Sequence, residues 1–239
     1  MSGHSKWSTI KREKGAKDAK RGAIFTRIGN QIAIAARSGI DPVMNSALAM
    51  AIEKAKQANM PAANIQRAID RVADKNAAVL EEATYEAMGP GGVGIIIETA
   101  TDNKNRTLPE VKNALTKNGG RIADAGSVTF QFTRKGVINV AAVGEDALLT
   151  ILDAGAEDAI EDEGETVVYT DQKDLAKVRT AIIDAGLMVT GAELQYVPNN
   201  MIVIDENEQA EKVLKVLNAL DDLDDVTGVH TNADITVEL

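Results

Sequence analysis

The chain has 239 residues, of which 44% are hydrophobic and 26% are charged, so it is long enough for two or three small globular domains. It has no cysteine, which excludes disulfides, thiolate nucleophiles and cysteine-ligated metals, and its aromatic content of 3% leaves little material for base-stacking platforms. The sequence shows no apolar leader and no apolar run of membrane-spanning length, and we therefore expect a cytoplasmic protein with no membrane partner.

The net charge of −10 conceals a strong segregation of charge along the chain. Residues 1–80 carry 14 Lys and Arg against 6 Asp and Glu, and residues 81–135 carry 7 of each. Residues 136–204 carry 3 against 13, and residues 205–239 carry 2 against 10. A basic end on an acidic chain is typical of a module that binds a polyanion. We therefore expect any nucleic acid to contact the N-terminal end.

The first third of the chain divides into a basic segment and a helical bundle. Residues 1–22 are polar, rich in Lys and Arg, and without apolar periodicity. Within residues 23–74, apolar side chains recur at helical spacing in three stretches, which predicts a three-helix bundle. Asp41-Pro42 and Met60-Pro61 supply the breaks between these helices. The sequence shows no recognisable helix-turn-helix with base-reading side chains.

The pattern changes to strands after residues 75–82, which are predicted to form a linker. In residues 83–135, strand patterns flank Gly89-Pro90-Gly91-Gly92, which predicts a hairpin turn and lacks the Gly-Lys-Ser/Thr of a phosphate loop. Thr107-Leu108-Pro109-Glu110 has the pattern of a capping box at the start of a helix. Val128 to Phe132 predicts a further strand.

Residues 136–204 alternate strands and helices in the order βαββαβ, which is the ferredoxin-like signature. Residues 205–239 contain a helix and two strands, Val226–Thr231 and Ile235–Val237, which is too little for a core of their own. We therefore predict that they complete the sheet of residues 83–135. The predicted fold class is therefore α+β: an N-terminal three-helix bundle, a discontinuous α+β domain, and a ferredoxin-like (βαββαβ) domain inserted into it.

The basic segment is the strongest functional signal, because Lys and Arg that neutralise phosphates release condensed counterions whatever the base sequence. Trp7 has no apolar partner nearby in sequence and is suited to stack on an exposed base. The alternative is a solvated tail with Trp7 folded back onto the bundle. The candidate nucleic-acid-binding residues are Lys6, Trp7, Lys11, Arg12, Lys14, Lys17, Lys20, Arg21 and Arg27.

A second, weaker contact is predicted in the polar loop of residues 101–107, through Lys104 and Arg106. Helix capping is the alternative explanation of that loop. The ferredoxin-like segment offers one Tyr on its central strands and is acidic, so we do not expect it to bind RNA as an RNA-recognition motif does.

The sequence predicts no catalytic site, metal, cofactor or small-molecule substrate. His4 and His230 are the only histidines and lie at opposite ends of the chain. The acidic run at residues 161–165 lacks the alternating ligands of a calcium loop. No nucleophile is placed with a base at a supporting spacing, and we therefore expect a protein that is not an enzyme.

The chain carries a series of short motifs: Gly3-His4-Ser5-Lys6-Trp7, Asp18-Ala19-Lys20-Arg21-Gly22, Phe25-Thr26, Asn59-Met60-Pro61, Ile65, Arg67-Ala68-Ile69, Tyr85-Glu86, Gly89-Pro90-Gly91-Gly92, Thr101-Asp102-Asn103, Asn105-Arg106-Thr107, Gly119-Gly120, Gly126-Ser127-Val128 and Leu220-Asp221-Asp222-Leu223-Asp224-Asp225-Val226. Together these motifs resemble the YebC/PmpR family over essentially the whole chain. Two small departures are Gly39-Ile40 before Asp41-Pro42, where the family has a glycine pair, and Val229-His230-Thr231-Asn232, where it has Val-Tyr-Thr-Asn.

The resemblance implies three domains, in agreement with the predicted discontinuity, and a role as a DNA-binding transcriptional regulator. The family also includes the mitochondrial translational activator of cytochrome oxidase, and bacterial relatives that look like ribosome-associated factors easing stalled translation. The implied alternative is therefore a translation factor whose partner is the ribosome, through ribosomal or transfer RNA.

Overall fold

The computed structural model of the protein describes residues 21–74, 78–162 and 164–237. These residues form seven α-helices and ten β-strands, which confirms the α+β class. The helices are α1 (Arg21–Ala36), α2 (Ser46–Gln57), α3 (Ala62–Asp70), α4 (Lys104–Lys117), α5 (Glu145–Asp153), α6 (Leu175–Asp184) and α7 (Asn207–Asp221). The strands are β1 (Glu81–Met88), β2 (Gly94–Thr101), β3 (Arg121–Ile122), β4 (Phe132–Val140), β5 (Asp158–Asp162), β6 (Glu165–Asp171), β7 (Val189–Pro198), β8 (Ile202–Ile204), β9 (Val226–Thr231) and β10 (Ala233–Ile235).

The described chain divides into two compact units. One runs from Phe132 to Asn199, and the other contains the described residues before and after it. The N-terminal helices and the first sheet belong to the same unit, because α1 lies against the sheet. The Asn30 amide donates to the Ala100 carbonyl at 3.5 Å, and the Gln31 amide donates to the Thr227 carbonyl at 3.1 Å.

The three N-terminal helices form as the apolar spacing predicts. Ile32 and Leu48 are fully buried at the centre of their packing, and Ile28 and Ile65 are nearly so. Asn45 caps α2, since its side-chain oxygen accepts the backbone N–H of Leu48 at 3.1 Å. The bundle thereby gains a fixed start for its second helix.

The first sheet has the strand order β3-β1-β2-β9, with all pairs antiparallel. The predicted hairpin is confirmed, because β1 and β2 pair directly across residues 89–93. Strand β9, near the end of the chain, pairs with β2 and forms one edge of this sheet. Helices α4 and α7 cover one face and build a core that includes Ile95, Ile97, Leu115 and Leu217.

Three local predictions are wrong. Helix α4 begins at Lys104 and not at Thr107, because Asn103 caps it by accepting the N–H groups of Asn105 and Arg106. Val128 to Phe132 is not a strand, since residues 129–131 form a 3₁₀ turn and β4 starts at Phe132. The last strand is β10, which pairs in parallel with β8 and precedes the predicted residues 235–237 by two positions.

The unit from Phe132 to Asn199 contains β4-α5-β5-β6-α6-β7, with the antiparallel strand order β5-β6-β4-β7. Gly136 was predicted as its first residue but lies inside β4. A Cβ on Gly136 would meet the Thr170 hydroxyl and approach Leu175 to 2.9 Å, so glycine is required for α6 to pack closely on the sheet.

Candidate nucleic-acid interface

Most of the predicted contacts lie outside the described residues, namely Lys6, Trp7, Lys11, Arg12, Lys14, Lys17 and Lys20. Arg21 is the first residue of α1, so the basic segment leads directly into a helix of the bundle. Nucleic-acid contact by this segment stays a prediction.

Arg27 is a buried cation. It is 8% exposed, and its Nη1 lies 2.9 Å from Oδ1 of Asp221 at the end of α7. A second guanidinium nitrogen donates to the Asp221 backbone carbonyl, while Nε is buried without a partner. A guanidinium committed to this pair is withdrawn from phosphate, so we remove Arg27 from the candidate contacts. Its role is to join the bundle to the α+β fold.

Replacing Arg27 by methionine is therefore expected to lower the free energy of unfolding by about 1.5–3 kcal/mol, because the carboxylate and the backbone carbonyl of Asp221 each lose a charged donor. Affinity for nucleic acid should not change. Urea denaturation and a DNA titration check the two halves of this prediction, with Lys112→Met on the exposed side of α4 as the control. Weakened binding at unchanged stability would restore Arg27 to the interface.

Lys104 and Arg106 lie in the first turn of α4, and each has an acidic partner within the protein. Lys104 Nζ is 2.6 Å from Glu81 Oε2, and this hydrogen bond raises the pKa of Lys104 and lowers that of Glu81. Arg106 Nη2 lies 3.1 Å from Asp102 and 2.9 Å from Asp225. A phosphate would have to displace these carboxylates. The structure therefore does not bring Lys104 and Arg106 together as a free basic patch.

Asp225 is the centre of the polar network at the start of α4. Its Oδ2 accepts from the Thr107 hydroxyl at 2.7 Å and the Thr101 hydroxyl at 3.0 Å, beside the Arg106 guanidinium. Burial by itself would raise the pKa of Asp225, but hydrogen bonds from Thr107, Arg106 and Thr101 hold it below its ordinary value. Thr107 thus serves this network and not the helix cap.

A polar cleft of about 580 Å³ opens beside this network, between the bundle and the α+β fold. Its lining carries five carboxylates and two guanidinium groups, and such a balance repels phosphate. The cleft is therefore no candidate for an anion. Its lining residues are Thr26, Asn30, Arg71, Leu80, Asp102, Arg106, Glu110, Asp222, Leu223, Asp224 and Asp225.

The exposed cations of the bundle that were not predicted as contacts include Lys56 on α2 and Arg67 on α3. They are single cations on separate helices and form no cluster in the sequence. Only the folded bundle shows that both project from its surface. Arg67 stays near its own helix, where it contacts the Asn64 side chain and the Ala63 carbonyl.

Within residues 21–74, 78–162 and 164–237, no group of three or more His, Asp or Glu side chains is placed to hold a metal ion. In the same residues no helix is both long and apolar enough to cross a membrane.

The protein is therefore an α+β protein in which the basic residues are concentrated at the N-terminal end. Residues 5–75 match the domain described as the TACO1/YebC protein N-terminal domain, and residues 80–233 match the TACO1/YebC second and third domain. The chain belongs to the TACO1/YebC family, which confirms the resemblance found in its motifs.

Relatives align along nearly the full length of the chain. A protein of Leptospira biflexa is 46% identical over 240 residues, covering 98% of this chain and 97% of the relative. A protein of Chloroflexus aurantiacus is 47% identical over 247 residues, covering 100% and 98%. Both are named "Probable transcriptional regulatory protein". The crystal structure of a conserved hypothetical protein from Aquifex aeolicus matches with a TM-score of 0.85 at 39% identity, covering 93% of each chain.

Proposed function

We propose that this protein is a non-enzymatic regulator of gene expression that binds DNA through its basic N-terminal segment, Lys6 to Arg21. The names of the relatives support a regulatory role in transcription. The observation that carries the proposal is the distribution of charge. Residues 1–21 hold seven Lys and Arg against Glu13 and Asp18. Three cations beyond that segment, Arg27, Lys104 and Arg106, are paired with carboxylates.

The unit from Phe132 to Asn199 fits this proposal as an inserted ferredoxin-like domain that does not bind phosphate. It carries 13 Asp and Glu against 5 Lys and Arg. Its field would repel a polyanion, so it would help to confine contact to the basic end.

A salt titration of the full chain on duplex DNA tests the proposal. The logarithm of the binding constant should fall with the logarithm of salt concentration by about 0.9 for each phosphate neutralised. Replacing Lys11, Arg12, Lys14 and Lys17 by alanine should make this slope shallower by up to about 3.6 and weaken binding to every duplex. Fluorescence anisotropy at several salt concentrations gives both quantities.

A charge-matched control separates local contact from net charge. Replacing Lys112, Lys117, Lys212 and Lys215 by alanine removes four exposed cations from α4 and α7. This variant should bind with nearly the wild-type slope. Equal slopes for the two quadruple variants would overturn the proposed site, and the absence of binding to duplex DNA by the wild type would overturn the proposed function.

The alternative function, a translation factor acting on ribosomal or transfer RNA, is supported by Trp7 within the basic segment. Stacking on a base is worth about 1–3 kcal/mol and depends little on salt. If the protein acts on RNA, Trp7→Ala should weaken binding to single-stranded RNA without changing the salt dependence of the binding constant. Added ribosomes should then displace the protein from DNA. Tight binding to duplex DNA that is changed neither by Trp7→Ala nor by added ribosomes would exclude this alternative.

A further inference from the structure

The connection between α2 and α3 is a tight turn of four residues, Ala58 to Pro61. Asn59 has a φ of 57°, the one non-glycine residue with positive φ in the described chain. The Met60 N–H reaches back to the Ala55 carbonyl at 2.9 Å, which closes the end of α2. Pro61 is the N-cap of α3, and its carbonyl accepts the backbone N–H groups of Asn64 and Ile65. Two helices joined by such a turn form either an antiparallel hairpin or a helix-turn-helix.

The packing of the bundle favours the helix-turn-helix. Helices α2 and α3 pack chiefly on α1 and contact one another little, whereas the helices of an antiparallel hairpin pack along their lengths. Ala55, Met60, Ile65 and Ile69 are buried on the inner side of the turn and of both helices. The turn is thus held by the core, which fixes how α3 projects.

The outward face of α3 has the chemistry of a groove-reading helix. Ala62 and Ala63 are exposed at its first turn, and their small side chains allow close approach to a surface. Gln66 and Arg67 follow on the same exposed side, one turn further along. Gln binds adenine and Arg binds guanine through paired hydrogen bonds in the major groove, where a recognition helix presents its N-terminal residues.

The present contacts of these two side chains are local and solvent-exposed. The Gln66 amide donates to Asp70 at 2.8 Å, and the Arg67 guanidinium contacts Asn64, both within one helical turn. Water competes for such pairs, so base edges can replace them on binding. Lys56, exposed in the last turn of α2, is placed for a phosphate, since the first helix of the motif crosses the DNA backbone.

We infer that α3 is a recognition helix that enters the major groove of duplex DNA, with Gln66 and Arg67 reading base edges. The inference rests on the proposed function and deepens it: the basic segment supplies affinity without sequence preference, and α3 supplies the preference. B-form DNA is the duplex that fits, because its major groove admits a helix, whereas that of A-form RNA is too deep and narrow.

The test begins with selection of bound duplexes from a pool of 30-base-pair DNA with a randomised centre, using the full chain. Affinities for the enriched duplex and for its single-base-pair variants then measure discrimination. The variants are Gln66→Ala and Arg67→Ala, and the matched controls are Gln172→Ala and Arg121→Ala, exposed residues of the same types outside the bundle. Circular dichroism with thermal unfolding verifies that each variant folds as the wild type does.

We expect each α3 variant to lose discrimination by roughly 5- to 150-fold at one base pair, while low-salt affinity for random duplex stays nearly unchanged. Arg67→Ala should also end the protection of a guanine N7 from dimethyl sulfate. The controls should keep the wild-type preference.

Either of two results would overturn the inference and leave the proposed function standing: a wild type that binds duplex DNA but enriches no sequence, or α3 variants with undiminished discrimination. A wild type that fails to bind the duplex pool at all would overturn the proposed function itself. The quadruple variant of the basic segment separates the two, since it should weaken binding to every duplex and leave the base preference intact.

Discussion

Replacing Glu86 by alanine is expected to lower the free energy of unfolding by about 3 kcal/mol, because one buried and two partly buried backbone N–H groups lose a charged acceptor. Glu86 Oε2 accepts the backbone N–H groups of Val128 at 2.6 Å and Thr129 at 2.8 Å. Its Oε1 accepts that of Gly126 at 2.6 Å. The carboxylate thus holds a loop 40 residues further along the chain against β1. Urea denaturation followed by circular dichroism measures the loss.

The pH dependence of stability gives a second measurement of the same contact. Burial would raise the pKa of Glu86, but hydrogen bonds from Thr129, Gly126 and Val128 hold it below its ordinary value. Because the pKa is lower in the folded than in the unfolded protein, the contribution is complete above about pH 4.3 and is lost as the pH falls through the folded-state pKa. Glu86→Gln should therefore show a flatter decline of stability below pH 5 than the wild type.

Glu82→Ala supplies the control, since Glu82 lies on the same strand and is exposed. It should change stability by less than about 0.5 kcal/mol, as surface substitutions usually do. If Glu82→Ala and Glu86→Ala were equally destabilising, the loss would belong to the strand and not to the three backbone N–H groups.

This contact also shows why two motifs that lie far apart in the sequence belong together. Tyr85-Glu86 and Gly126-Ser127-Val128 give no sign of each other in composition or periodicity. The fold joins them because a carboxylate on β1 satisfies the donors of the loop. A single sequence shows that such residues are present, but it does not show which donor meets which acceptor.

Most of the secondary structure, by contrast, could be predicted from the sequence, because it depends on local periodicity and on glycine and proline. The hairpin at Gly89 to Gly92 and the helices of the bundle are examples. Local pattern is less informative where a distant partner decides the outcome. Arg27 has the charge of a phosphate contact, yet it pairs with Asp221, 194 residues away. Thr107 has the pattern of a cap, yet it bonds to Asp225.

The turn between α2 and α3 was predicted from Met60-Pro61, and the structure has it at Ala58 to Pro61. Glycine is the usual residue at the left-handed position of such a turn, and here asparagine occupies it. Asn is the residue next best suited to that conformation, because its side chain tolerates positive φ. The left-handed position at Asn59 therefore carries no glycine signal, although Met60-Pro61 marks the break itself.

Asp225→Ala is expected to cost about 2–3 kcal/mol, because the buried hydroxyls of Thr101 and Thr107 and the Arg106 guanidinium all lose a charged acceptor. The side chain joins the start of β9 to the end of β2 and the first turns of α4. The loss should therefore appear as lower stability of the whole unit and not as fraying of one loop. Urea denaturation at pH 7 measures it.

Asp224→Ala is the matched control, because Asp224 is the neighbouring residue and is exposed, so the two variants have the same net charge.

The pKa of Asp225 is lowered by its hydrogen bonds, so the contribution of its carboxylate to stability is present above about pH 3.9 and fades as the pH falls through the folded-state pKa. Asp225→Asn should accordingly be less stable than the wild type at pH 7, with the gap narrowing toward pH 2. An equal gap at both pH values would mean that the ionised carboxylate contributes nothing, and equal stability of the Asp224 and Asp225 alanine variants would mean that the network does not hold the unit together.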